Sequence, residues 1–103
     1  MADEWHRVAE IVSIPPGDAI VVRVAGREIA IFHVEDRFYA TDNRCTHGAA
    51  PLADGYLEGE IVECPLHQGL FNVRTGAVLC SPPLRPIRTY PLRIVNRHIE
   101  VQV

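Results

Sequence analysis

At 103 residues with a formal net charge of −3, the chain is one small domain, and its acidic balance argues against a nucleic-acid partner. No run approaches the roughly 18 consecutive apolar residues of a membrane span. Met1-Ala2-Asp3-Glu4-Trp5 lacks the basic and then apolar stretch of a secretory signal, so a soluble, cytoplasmic protein is expected.

In chain order the apolar pattern is short and often broken. Pro15-Pro16-Gly17 reads as a turn between the first two strands. Ile20–Val24 and Glu28–Phe32 flank Ala25-Gly26-Arg27, a hairpin signal. Arg37–Thr41 follows a turn at Glu35-Asp36. Short strands are expected at Ile61–Glu63 and Leu70–Asn72. Ile87–Ile94, a turn at Val95-Asn96-Arg97, and His98–Val103 form a closing hairpin. Pro91 should place its strand at an edge or a bulge, because it has no N–H for the ladder. Branched and aromatic residues dominate these runs, and no amphipathic helix or internal repeat is visible. The fold class is therefore all-β, an antiparallel sandwich or barrel. Residues 1–42 and 87–103 would form the β base, and 43–86, rich in Gly and Pro, a loop-rich inserted lobe.

The lobe carries two short pairs. Cys45-Thr46-His47 is followed, after sixteen intervening residues, by Cys64-Pro65-Leu66-His67. Each pair offers one thiolate and one imidazole, and together they make a four-ligand metal site. Three cysteines in a chain without a signal argue for metal chemistry over a disulfide framework. Zinc accepts such donors, although structural zinc sites favour Cys pairs two to four residues apart. Unligated core Cys and surface His are the other alternative, disfavoured by the flanking Gly48 and Gly69.

The arrangement resembles the Rieske family: Cys-x-His, a spacer of this length, then Cys-x-x-His. All four ligand positions match, as do Gly48, Pro65 and the Gly69-Leu70-Phe71 run. The resemblance covers essentially the whole chain and implies a [2Fe–2S] cluster. Cys45 and Cys64 would bind one iron, and His47 and His67 the other. Two thiolates in place of four leave the oxidised cluster formally neutral, which raises its potential to about −150 mV or above, from about −400 mV.

Respiratory and photosynthetic members carry two further Cys that bridge the ligand loops. The corresponding positions here are Ala50 and Leu66. Those members also place Ser and Tyr hydroxyls against sulfur, where this chain has Gly69 and Phe71. Losing such hydrogen bonds lowers the potential within the Rieske range. The chain therefore resembles a ferredoxin of the bacterial aromatic-ring-hydroxylating dioxygenase systems, active in aromatic hydrocarbon catabolism. By that resemblance it is not an enzyme but a monomeric one-electron carrier. It would pass electrons from an NAD(P)H-dependent flavin-containing ferredoxin reductase to a terminal Rieske oxygenase. The alternative is a small Rieske subunit of an assimilatory nitrite reductase. An oxygenase itself is excluded, because it needs a second iron held by two His and a carboxylate. His6, His33 and His98 are scattered and are expected to be ordinary strand or surface residues.

Pro82-Pro83 resembles the third loop that covers the cluster in this family, or else is a simple strand connector. Cys80 fits a buried strand end better than a thiol at the cluster. Ala49, Ala50, Pro51, Leu66, Pro82 and Pro83 are expected to form an apolar docking rim around His47 and His67. Trp5 and Tyr56 are expected to be packing residues. Residues 28–63 hold eight acids against Arg37 and Arg44, either a solvated face or a patch that steers a protein partner.

Overall fold

A computed structural model describes residues 4–46, 50–65, 69–80 and 85–103. Eleven strands run through these segments: β1 Trp5–Glu10, β2 Ala19–Val24, β3 Arg27–Val34, β4 Arg37–Asp42, β5 Tyr56–Glu58, β6 Ile61–Glu63, β7 Leu70–Asn72, β8 Val78–Cys80, β9 Thr89–Tyr90, β10 Leu92–Val95 and β11 His98–Gln102. They form three antiparallel sheets, ordered β1-β11-β10, β2-β3-β4-β9 and β5-β6-β7-β8. We call these the closing, central and lobe sheets.

The central strand explains the layering. Ile29-Ala30-Ile31-Phe32 on β3 is an unbroken apolar run because both of its faces are covered. Successive side chains on a strand point to opposite faces. Ala30, Phe32 and Val34 pack with Val62 and Phe71 of the lobe sheet. Ile29 and Ile31 pack with Ile99 and Val101 of the closing sheet. Two cores thus share one strand. Phe32 and Phe71 are fully buried, each burial stabilising the fold by about 1.5–3 kcal/mol.

The turns follow the sequence closely. Ala25 and Gly26 both take positive φ (53° and 79°) between the paired residues Val24 and Arg27, as a two-residue hairpin turn matched to strand twist requires. Arg27, expected in the turn, is instead the first residue of β3. Asn96 and Arg97 make the equivalent turn between Val95 and His98. Pro15–Asp18 closes as a turn with Asp18 N–H donating to the Pro15 carbonyl at 3.0 Å and Gly17 at φ 87°.

The single strand expected over Ile87–Ile94 is two strands. Pro91 divides β9, which pairs with β4, from β10, which pairs with β11. Proline cannot donate to either ladder, so the chain changes sheets there. Its carbonyl still accepts from Gln102 N–H at 3.0 Å. Tyr56 is not a packing residue: Leu57 turns inward from edge strand β5, and Tyr56 stands outward, 66% exposed. Trp5 is half-buried, with the Arg93 guanidinium carbon 4.2 Å from its ring centroid. His33 stacks on Phe38 and lies 2.6 Å through Nδ1 from the Ile14 carbonyl, a structural role. The His98 ring sits 2.9 Å from the Asn96 carbonyl, likewise structural.

Candidate metal centre

Two chain segments leave the sheets and return in the same way. After β4, Cys45 donates its backbone N–H to the Ala50 carbonyl at 2.9 Å. Between β6 and β7, Cys64 donates its N–H to the Gly69 carbonyl at 2.8 Å. Each bond closes a loop from a cysteine to the residue five positions on. His47 falls inside the first loop and His67 inside the second, and both lie outside the described residues. Pro65 is exposed at the start of the second loop.

The first loop has a clamp at its neck. Asn43, only 4% exposed, accepts from Ala53 N–H through Oδ1 at 2.9 Å and donates through Nδ2 to Glu28 Oε1 at 3.3 Å. Its carbonyl accepts from Leu52 N–H at 2.6 Å, and its own N–H donates to the Glu28 carbonyl at 3.1 Å. Arg44 and Pro51 form an isolated antiparallel bridge just inside. The second loop needs no such clamp, because the pairs Glu63–Leu70 and Val62–Phe71 hold its stem as a hairpin.

Gly55 fixes how near the two loops come. A Cβ there would sit 2.1 Å from the Glu63 carbonyl oxygen and 3.1 Å from that of Leu52. Only a residue without Cβ lets the exit of the first loop pass the strand that leads into Cys64. A third segment is tied to the first loop and to the turn between β7 and β8. Thr46 Oγ1 donates to the Arg85 carbonyl at 2.8 Å, and Ile87 N–H donates to the Gly76 carbonyl at 2.9 Å. Gly76 takes φ 82°, and a Cβ there would lie 2.2 Å from the Ile87 oxygen.

Cys45 and Cys64 are each 1% exposed and belong to one core with Leu52, Val62 and Phe71. Burial alone would mean little, since cysteine is among the most buried residue types. Two buried thiols at the mouths of matching closed loops mean more. Thiolates in so apolar a setting require a bound cation to offset desolvation. A soft sulfur pair of this kind fits zinc or an iron–sulfur group.

One expectation about the surroundings is overturned. Ala50 is fully buried, because its carbonyl closes the first loop and its methyl joins the core, so it is no part of an apolar rim. Pro51 is half-buried. Ala49, Leu66, Pro82 and Pro83 lie outside the described residues. Phe71, fully buried, shares the core of both cysteines. Cys80 ends β8 opposite Leu70. Asn43, Thr46, Gly55 and Gly76 were not singled out from the sequence. Only the glycines carried a signal, a glycine beside a short apolar run.

The charges near the loops are mostly acidic. Arg74 Nε lies 3.2 Å from both oxygens of Glu60, and with Asn72 it holds that carboxyl below its ordinary range. Asp54 and Glu58 are exposed and Glu63 half-buried.

Known proteins resemble this chain in sequence and in fold. The sequence profile of the Rieske [2Fe-2S] domain matches residues 4–91. The ferredoxin component of the naphthalene 1,2-dioxygenase/salicylate 5-hydroxylase systems of Ralstonia sp is 50% identical over 103 residues, covering 100% of this chain and 99% of the relative. A chain from a complex of reduced oxygenase and oxidized ferredoxin in carbazole 1,9a-dioxygenase superposes with a TM-score of 0.90. It is 37% identical, with 95% of this chain and 92% of that chain covered. A nitrite reductase small subunit from Mycobacterium tuberculosis also superposes, with a TM-score of 0.88 over 98% of this chain and 96% of that one. At 21% identity that likeness is one of fold alone.

Proposed function

Since this chain belongs to the Rieske [2Fe-2S] domain family, we propose that Cys45 and Cys64 hold one iron of its cluster through their thiolates, and that His47 and His67 hold the other through ring nitrogens. The single observation that supports this ligand set is the pair of buried cysteines, each opening a closed loop whose sequence contains one of those histidines. When bound, the cluster takes up and gives back one electron at a time.

The chain's own residues do the rest. Leu52, Val62 and Phe71 keep water from the sulfurs. The Cys45 and Cys64 N–H groups are committed to carbonyls, so these two donors are not aimed at sulfur. With Phe71 and Gly69 offering no hydroxyl, the reduced, more negative state receives little side-chain stabilisation, which keeps the potential low. In this reading residues 1–42 and 87–103 are the β base, and residues 43–86 are the cluster-binding lobe.

The protein is an electron-transfer component of an aromatic-ring-hydroxylating dioxygenase system, not its catalyst. It carries electrons to the terminal oxygenase from a flavin-containing, NAD(P)H-dependent reductase, and works as a cytoplasmic monomer. Relatives at 41–50% identity are ferredoxin components or subunits of dioxygenase systems. That identity favours the carrier over the nitrite reductase subunit, whose likeness extends only to fold.

Two experiments test the reading. Purified protein with an NADH-dependent reductase and a terminal dioxygenase should give product only when all three are present; product formed equally well without this protein would remove the carrier role. Cys64→Ser or His67→Asn should yield colourless or unstable protein. A brown variant with the parent's reduced-state EPR spectrum would strike that residue from the ligand set.

A further inference from the structure

The lobe sheet has two faces of different character. Leu57, Val62, Phe71 and Val78 turn into the core. Their neighbours Tyr56, Glu63 and Leu70 are cross-strand partners in one row, and strand alternation puts that row on the outer face. Tyr56 is 66% exposed, and Glu63 and Leu70 are half-buried. The next outward row is Glu58, Ile61 and Asn72, with Ile61 38% exposed.

This face adjoins the second ligand loop directly. Glu63 precedes Cys64, and Leu70 follows Gly69, whose carbonyl closes that loop. Gly55 presses β5 against Glu63 and so holds Tyr56 at the foot of the loop. The charges here are not balanced internally. Arg74 neutralises Glu60, but among the described residues neither Glu58 nor Glu63 has a cationic partner. An exposed tyrosine beside aliphatic side chains matches the aromatic anchors of interface hot spots, and the unmatched carboxylates beside it match the polar rim around such a centre.

We propose that the outer face of the lobe sheet, centred on Tyr56, Ile61, Glu58 and Glu63, docks a basic face of the terminal oxygenase that surrounds an apolar contact with arginine or lysine. The inference rests on the carrier reading above and adds to it the surface used. The oxygenase is the partner chosen because a chain of this fold has been captured with one. Two effects divide the work. Glu58 and Glu63 steer the approach over distances that salt screens, and Tyr56 anchors the complex at short range.

The experiment uses the cluster-loaded protein with a naphthalene-dioxygenase-type oxygenase and its reductase. Ferredoxin-dependent kcat/KM is measured from low to high ionic strength. The pair Glu58→Gln with Glu63→Gln should lower kcat/KM about tenfold at low salt and flatten its salt dependence. Tyr56→Ser should lower it about tenfold at all salt concentrations. Glu60→Gln combined with Arg74→Gln, which removes a matched pair and leaves the net charge unchanged, should leave the salt slope as in the parent. Reduction by the reductase and the visible and EPR spectra should stay at parental values throughout.

Parental kcat/KM and salt slope in the Glu58/Glu63 and Tyr56 variants would overturn the surface while leaving the carrier reading intact. An equal loss toward the reductase would also overturn it, because the face would then not belong to the oxygenase. Failure of the parent protein itself to support turnover would overturn both readings together.

Discussion

Replacing Asn43 with Ala tests whether the neck of the first loop is held by one side chain. The substitution removes two hydrogen bonds, from Ala53 N–H at 2.9 Å and to Glu28 Oε1 at 3.3 Å. Leaving the half-buried Ala53 N–H without its acceptor costs about 1–3 kcal/mol. The bond to Glu28, whose side chain is 52% exposed, adds less than about 1 kcal/mol after screening. The sum is about 1–4 kcal/mol. For a domain of this size each kcal/mol lowers the melting midpoint by about 4–8 °C, so the variant should melt at least about 4 °C and up to about 30 °C below the parent. Circular dichroism follows the fold, and visible absorbance follows the cluster on the same sample; both should fall early. Asn43→Asp separates the two bonds. It keeps the acceptor for Ala53 but sets a second carboxylate against Glu28, and two like charges repel. The repulsion is absent when the carboxyls are protonated and present when both are ionised, so the Asp variant's deficit should be larger at about pH 7 than at about pH 3. An Ala variant that melts within about 2 °C of the parent, where the hydrogen-bond cost predicts at least about twice that shift, would refute the clamp.

Three further outcomes are expected. Gly55→Ala forces a Cβ to within 2.1 Å of the Glu63 oxygen, and the backbone shift should cost about 1–3 kcal/mol; chemical denaturation measures it, and a parental midpoint would mean the strands can separate freely. Thr46→Val removes the 2.8 Å bond to Arg85, so cluster bleaching in air should quicken, with Thr46→Ser restoring the parental rate; equal bleaching in Val and Ser variants would dismiss a role for that bond. Tyr90, buried and donating to Asp42 at 2.5 Å, has its pKa raised above 10, first by burial and then by that bond. Its contribution is full below about pH 10 and lost as pH rises through the raised value. The stability gap between parent and Tyr90→Phe should then shrink in urea titrations above pH 10, and a constant gap would contradict the assignment.

Much of this structure was legible because it is local. The β2–β3 turn needed only Ala25-Gly26 between apolar runs, and β6 and β7 fall on the predicted residues. The cysteine spacing pointed to two loops before any geometry was known. What escaped depends on distant partners. Pro91 signalled a lost donor, but not that β9 would pair with β4 while β10 paired with β11. Ala50 looked like rim because it stands beside other small residues; it is core because Leu52, Val62 and Phe71 close over it. Tyr56 looked like packing because aromatic residues usually are, yet its edge strand leaves it outside. β5 and β8, three residues each, are too short to show a period. Nothing around Asn43 announces a clamp, since its partners Glu28 and Ala53 come from either side in sequence.

The closing sheet pairs Trp5 with Gln102, almost the full chain apart, whereas the lobe sheet joins strands that all lie within residues 56–80. Loop-closure entropy grows with the length enclosed, so long-range pairing comes late in folding. During synthesis β1 must wait without its ladder until β11 has emerged, while the β6–β7 hairpin that carries Cys64 can set its register at once. The order of assembly follows: the second ligand loop is shaped early from local contacts, and the sheet farthest from it in the layering closes last. Mutations that weaken β1 or β11 should therefore slow the final folding step more than they disturb the geometry around the cysteines.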